Sequence, residues 1–413
     1  VTPSCLIIMK NNPSLEMALK VIRDHLPVLR SENILLNQAL GRVCSASLYA
    51  SESYPSFSQS NRDGYAVGKT PFGKTKDGLE YRLDAEIAAG DIQIRRNRPG
   101  FAHRIMTGAP VPRGVWKVIP QEMCRERKGG VFIAEQTLLA AASHIQKRGS
   151  SLRRGALLLR DGACLGPAHL ARLADSGYVQ LQVYQRPKVA FFCTGSELVD
   201  NPARQSRGQK ISSNRYLLAA LIHGFGGRGD DCGAVRDQRE ALEKHLTRVE
   251  DGNSDIIIST GGMGPGRYDL MEETFTRCGG KIIFSSLKLR PGKSVLFGII
   301  GNSLYFGLPG PPQAVQALFH VLIRPALLAM QGLVQWKTAA RAYLKEEMMV
   351  RKPGVLKLQE AVLSEERGVV MVRPAGGKET GNCYLFCPAA RKRLKKDELA
   401  TVLPLTPPSF LSS

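Results

Sequence analysis

The chain has 413 residues, 43% of them hydrophobic and 23% charged, which is ordinary for soluble globular protein and enough for two to four domains. Lysine and arginine number 57 against 36 acids, a formal net charge of +21 that raises the local concentration of anions. No apolar run approaches the length of a membrane span, and the apolar stretch within residues 1–10 is too short for a secretory signal.

The nine cysteines are scattered without metal-ligand spacing, and the close pair Cys383 and Cys387 has no second pair or histidine near it. A reduced, cytoplasmic protein is the reading.

In chain order, residues 14–26 predict an amphipathic helix capped by Ser14, with Leu15, Ala18, Leu19 and Ile22 at helical spacing. A second helix is predicted over about 31–40. From about 64 to 145 the segments are short and punctuated by glycine and proline, with β-like runs at 117–120 and 130–134, as in a small β module. Residues 168–176 read as helix and 178–184 as an alternating strand. After Arg186-Pro187 the grammar changes. A buried strand at 189–193, a helix at about 214–223, a strand reaching Val235, a helix opened by Asp237 with Glu240 three residues on, and further strands lead to a long helix through Met330. Strands alternating with helices predict a doubly wound parallel sheet. After Gln335 short β-like runs such as 369–373 return.

The most informative stretch is the apolar run 255–260 followed by Gly261-Gly-Met-Gly-Pro-Gly266-Arg-Tyr-Asp269. A buried parallel strand that ends in glycines and then a helix presents backbone N–H groups and a positive helix end to an anion. The spacing matches neither the dinucleotide fingerprint nor the Walker A loop. The basic run Arg391-Lys-Arg-Leu-Lys-Lys396 lacks interleaved aromatics for base stacking and reads as a solvated face.

Several motifs stand in one order: Pro55-Ser-Phe57, Ser60-Asn-Arg-Asp-Gly-Tyr-Ala-Val67, Ala89-Gly-Asp91, Arg104-Ile-Met-Thr-Gly-Ala-Pro-Val-Pro112, Thr194-Gly-Ser-Glu-Leu198, Ser213-Asn214, the glycine loop, Pro291-Gly-Lys293 and Gly307-Leu-Pro-Gly310. The set resembles the molybdopterin molybdenumtransferase family, which includes the gephyrin E domain, from about Leu15 to Gly332. The resemblance implies a multidomain α/β protein: an N-terminal region at 1–186 with a β-rich insert at about 54–145, an α/β molybdopterin-binding domain at 187–334, a C-terminal β-barrel at 335–405 and a tail at 406–413. It implies insertion of molybdate into adenylylated molybdopterin with release of AMP, a divalent cation (Mg2+), and a homodimer whose cleft lies between the α/β domain of one subunit and the N-terminal part of the other. Molybdopterin adenylyltransferase and molybdoenzymes or their chaperones are the implied partners; neither membrane nor nucleic acid is expected.

Carried over residue by residue, the family's catalytic positions are Asp63, Thr107, Glu197, Asp237 and Asp269, with Asp63, Glu197 and Asp269 as metal ligands. Thr194, Gly195, Ser259, Gly261, Gly262, Gly264, Gly266, Arg290, Lys293, Pro309 and Gly310 would hold the pterin and the anions. Local readings compete: Asp63-Gly64 is also a turn dipeptide, and Asp237 and Asp269 also stand where helix caps belong. Two departures remove acids from the family pattern, Ser151 in a Gly-Ser-Ser that replaces Gly-Glu-Asp, and Trp116 in a Gly-Val-Trp that replaces Gly-Ala-Asp. The missing acids keep open a catalytically weak molybdopterin-binding paralogue or carrier, and the basic tail keeps open a scaffold or nucleic-acid-associated protein on the same fold.

Overall fold

The computed structural model describes residues 12–28, 30–92, 95–199, 205–263, 270–333, 339–350 and 354–406. The first helix, Leu15–Asp24, starts where Ser14 Oγ accepts the Met17 N–H at 3.3 Å. Its apolar face, Ala18, Val21 and Ile22, packs into the core of the α/β domain with Val189, Ile256 and Phe319, far along the chain. The second predicted helix is not formed. Ser31–Leu35 is a strand antiparallel to Gln180–Tyr184, and only Leu36–Gln38 coils, as a 3-10 turn. The ladder to a partner distant in sequence overrides a weak local helical preference.

The β module is one sheet, in the order Lys117–Pro120, Gly64–Val67, Phe101–Ile105, Gly78–Ile87, Gly130–Ala134, Arg125–Arg127. Tyr65, Val67, Tyr81, Ile119 and Ile133 fill one side of it, and Ala66, Ile87, Ile105 and Val118 the other. Gly64 is required by proximity: a Cβ there would collide with the Ile119 carbonyl of the neighbouring strand.

In the α/β domain the strand order is Arg228–Val235, Lys188–Thr194, Ile256–Thr260, Ser303–Leu308, Ser294–Ile300, Lys281–Ser286. The first four run parallel, but Ser294–Ile300 is antiparallel to both of its neighbours. The sheet is therefore mixed rather than wholly parallel. Gly301 and Asn302 connect Ser294–Ile300 to Ser303–Leu308, and a two-residue link permits a hairpin but no crossover. Alternate residues feed opposite faces, with Val189 and Phe191 in one core and Ala190 and Phe192 in the other. The helical stretch Pro312–Met330 is long and apolar enough to cross a membrane, yet its most apolar window is 83% buried and serves as core. It widens into a π segment over Phe319–Ile323, just before Pro325, which has no N–H to offer the preceding turn.

The C-terminal strands close on themselves. Leu356–Glu366 pairs with Val369–Pro374 and with Cys383–Cys387, and Leu399–Pro404 and Ala340–Leu344 complete the ring. Cys383, Leu385 and Cys387 lie at period-two positions in the barrel core, and burial pushes the two thiols up to about 12 and about 11. Their spacing is that of a packed strand, and neither is in a disulfide.

Barrel and α/β domain share apolar core: Leu358, Tyr384 and Leu403 join the cluster around Phe319. Buried there are Arg324, whose Nη1 donates to the Pro404 carbonyl at 2.7 Å, and His320, whose ring nitrogens have no partner among the described residues. Burial, and secondarily Arg324, push the imidazole down to about 3. An unfolded His320 binds its proton near pH 6.5, so folding stability is complete above that value and is lost progressively as pH falls from about 6.5 toward 3, by at most about 1.4 kcal/mol per pH unit from this group. His320→Phe should flatten that part of the profile, read as urea midpoints between pH 7 and pH 4. An unchanged slope would show that the imidazole takes no part.

Candidate functional site

Asp63 precedes the strand Gly64–Val67, and Thr107 follows Phe101–Ile105, its antiparallel neighbour, so both stand at one end of the β module. The turn is fixed by its backbone: Gly108 N–H donates to Ser60 O at 2.8 Å and Gln121 N–H to Asp63 O at 3.1 Å. Thr107 donates twice to Asp63 Oδ1, from its N–H and from its hydroxyl, each at 2.7 Å. The Thr107 N–H first, and its hydroxyl second, hold the carboxyl below the usual aspartate value. The result is an exposed carboxylate kept ionised in one orientation, with both bonds on a single oxygen.

The second centre is the carboxyl edge of the α/β sheet. Gly261 N–H donates to Leu308 O at 3.0 Å, and Gly195 N–H to Val235 O at 3.0 Å. Gly261 and Gly262 adopt φ of +99° and +63°, and a Cβ on Gly261 would stand 2.6 Å from Thr194 Oγ1. Only glycine lets this loop lie against Thr194. Asn214, in the first turn of the helix Ser213–Gly224, donates to Gly310 O at 2.8 Å and to Thr260 Oγ1 at 3.4 Å, and Thr260 Oγ1 donates to Cys193 Sγ at 3.2 Å. Thr194 Oγ1 and Asn214 Oδ1 are buried and have no hydrogen-bond partner among the described residues, and Ser212 Oγ, also buried, lies beside the Cys193 thiol. Buried polar atoms are normally satisfied, so this group is suited to receive a polar ligand.

The acids of this domain line the adjoining turn. Glu197 is exposed, and its Oε2 would lie 2.8 Å from a Cβ on Gly195. Asp237 does not open a helix as the sequence suggested. Arg239–Asp251 begins two residues later with Gln238 at the cap, because Asp237 Oδ2 accepts from Ser196 N–H and Ser196 Oγ accepts from Asp237 N–H, each at 3.2 Å. Ser259 is committed elsewhere: its hydroxyl is fully buried 2.5 Å from Tyr305 OH. Arg290 and Lys293 are exposed on a turn whose Gly292 packs against Leu318, and Pro309 is half-buried. Gly310 has open space around it. Gly264, Gly266 and Asp269 lie outside the described residues.

Among the described residues of one chain these acids do not form a metal-binding group. Asp63 and Thr107 are on the β module, Glu197 and Asp237 on the α/β domain, and the described residues contain no group of three or more His, Cys, Asp or Glu able to hold a metal. Ser151 sits in a neutral chain, its Oγ accepting from Gln146 Nε2, whose Oε1 accepts from Gln59 Nε2, both at 3.0 Å. Trp116 packs against the module's core with the Lys117 ammonium 4.7 Å from its ring centroid.

Residues 13–177 match the MoeA N-terminal region (domain I and II), and residues 190–329 match a probable molybdopterin binding domain. A molybdopterin molybdenumtransferase of Nostoc is 32% identical over 332 residues, spanning 78% of this chain and 76% of that protein. The chain belongs to the molybdopterin molybdenumtransferase family. A family member from Haemophilus influenzae is 27% identical over 402 residues, 95% of this chain and 98% of that protein. The fold also matches two crystal structures of the molybdopterin biosynthesis MoeA protein of Pyrococcus horikoshii, with TM-scores of 0.82 at 24% identity and 0.74 at 23%. These cover 96% and 95% of this chain and 100% and 99% of those chains.

Ser212, Asn214 and Thr260 were not among the site residues read from the sequence. The signal for Asn214 was its place directly after a strand, opening an otherwise apolar helix. Thr107→Val keeps the backbone donor to Asp63 and deletes the hydroxyl. The Asp63 pKa, followed by carbon NMR of its carboxyl, should rise but stay below that of an unbonded aspartate. An unmoved titration would remove the hydroxyl from the account.

Proposed function

We propose that the chain transfers molybdenum, supplied as molybdate, to molybdopterin in molybdenum cofactor biosynthesis, taking the pterin as its adenylylated form and releasing AMP. Membership of the molybdenumtransferase family supports the transferase reading. The observation that carries the site assignment is the pair of buried atoms Thr194 Oγ1 and Asn214 Oδ1, without a hydrogen-bond partner among the described residues, beside Gly261 and Gly262.

On this reading the pterin's polar edge meets Thr194 and Asn214 at the end of the sheet. The backbone of the glycine turn, with Arg290 and Lys293, balances phosphate and molybdate charge. Asp63, held ionised by Thr107, accepts a hydrogen bond from the water that cleaves the phosphoanhydride and orients it. The described acids of one chain do not form a divalent-cation cage, so no step is assigned to Mg2+. Asp63 and Glu197 would act together across a symmetric homodimer, one from each subunit.

Asp63→Ala should abolish cofactor formation from adenylylated molybdopterin and molybdate while leaving binding of the adenylate intact. Glu197→Ala should also be inactive, and mixing the two variants should restore activity that neither has alone. A mixture as dead as its components would refute the shared cleft. Thr194→Val and Asn214→Leu should each weaken adenylate binding about tenfold, the worth of one hydrogen bond of about 1.4 kcal/mol. Unchanged calorimetric affinity in both would move the pterin elsewhere. The neutral Gln59–Gln146–Ser151 chain favours a second reading, a carrier that binds the adenylate without turnover, selected by tight binding with no AMP release.

A further inference from the structure

The hydrogen bonds around Asn214 fix which way round its amide stands. A carbonyl oxygen can only accept, so the Asn214 atom 2.8 Å from Gly310 O is Nδ2. The same nitrogen lies 3.4 Å from Thr260 Oγ1, whose own hydrogen goes on to Cys193 Sγ at 3.2 Å, so Thr260 receives from the amide. Both amide hydrogens are then spent. Turning the amide over would set oxygen against oxygen at Gly310. Oδ1 is left as a pure acceptor, in a residue 9% exposed, without a partner among the described residues.

The topology places that acceptor where the sheet opens. The helix after Lys188–Thr194, Ser213–Gly224, puts Leu218 and Ile222 into the core that holds Phe191. The helix after Ile256–Thr260, Met271–Arg277, puts Met271 and Phe275 into the opposite core, with Phe192. Helices that leave two adjacent strands for opposite faces open a crevice between the strand ends, where open α/β sheets bind their ligands. Cys193 and Thr260 are paired across those two strands, and Gly310, with open space around it, borders the same end. Thr194 Oγ1 is a hydroxyl and can give or take a hydrogen bond, so only Asn214 Oδ1 imposes a direction. A ligand that sets a carbonyl there leaves two buried acceptors facing each other, whereas an N–H satisfies the one that is present.

We infer that Asn214, locked by Gly310 O and Thr260, is the specificity-determining acceptor of this site and reads an N–H on the edge of a heterocycle. On the proposed function, on which this rests, that donor is the exocyclic amine of the pterin. Thr260 is a positioning residue that acts through the Asn214 amide. Its hydroxyl takes the second Nδ2 hydrogen and is itself held by Cys193.

The test uses the full chain and two fluorescent rings, hydroxymethylpterin and hydroxymethyllumazine, in which a carbonyl replaces the exocyclic amine. The pterin should bind about tenfold more tightly, the ratio set by making or denying one buried hydrogen bond. Asn214→Leu should bring the ratio close to one by weakening the pterin. Thr260→Val should lower the ratio and Thr260→Ser, which keeps the hydroxyl, should preserve it. A packing role predicts the reverse order, since valine keeps the volume of threonine and serine does not. The comparison of the two rings on the unaltered chain stands even where Asn214→Leu does not fold. Equal affinity for two rings that adenylylated molybdopterin displaces, or a pterin preference undiminished in Asn214→Leu, would overturn the role of Asn214 and leave the pterin site in place. Binding of neither ring, or displacement of neither, would remove the pterin site and this inference with it.

Discussion

A sheet packed on both faces leaves polar chemistry one place to go, the ends of its strands, and the α/β domain is arranged around that constraint. Phe191 and Phe192 enter opposite cores, as do Ile256 and Ile257. The register then aligns the strand ends, with Cys193 opposite Thr260 and Thr260 opposite Leu308. Thr194, Gly261 and Pro309 therefore emerge side by side. Ser259 sits one residue too early. Its hydroxyl falls on the Tyr305 side of the sheet, inside the core, which is the usual consequence of a one-residue step along a strand.

Much of this was legible in the chain because it depends on local pattern. The run 256–260 followed by glycines announced a buried strand and a close backbone turn, and the left-handed φ of Gly261 and Gly262 is what those residues were there to allow. Strands at 117–120 and 130–134 were readable as short β-like runs punctuated by glycine and proline, although their burial does not alternate. What could not be read depends on partners remote in sequence. Residues 31–35 carry no sign that Gln180–Tyr184 will pair with them, and the first helix carries no sign that its apolar face belongs to the α/β core. Asp237 had the spacing of a helix cap, but the competing donor was Ser196, reached only when the sheet assembles. Thr194 was read as a site residue and Thr260 as part of a buried strand, but Ser212 and Asn214 look like surface polar residues until the fold removes them from water.

The chain's positive charge is spread over all its domains, and its exposed members at Arg290 and Lys293 flank the turn beside Leu318. At Ser151 and Trp116, where the sequence reading expected acids, the chain has a neutral amide–hydroxyl relay and an aromatic ring packed on the β module. Both changes move the balance in one direction, toward holding anions directly and away from holding a cation. A ligand carrying phosphate and molybdate charge is compatible with that balance.

Asp63 is oriented by forces that are entirely local: two donors from Thr107 on the neighbouring strand, and a backbone turn closed by Ser60 and Gln121. Nothing in that arrangement refers to the sheet edge where Thr194 and Asn214 lie. Each centre can be geometrically complete while the two remain apart, so on the proposed reading the chemistry depends on how the domains are placed as much as on the carboxylates themselves. Placement passes through the crossing at 185–187, where Glu32 and Asp255 on either side are shared among arginines and a lysine.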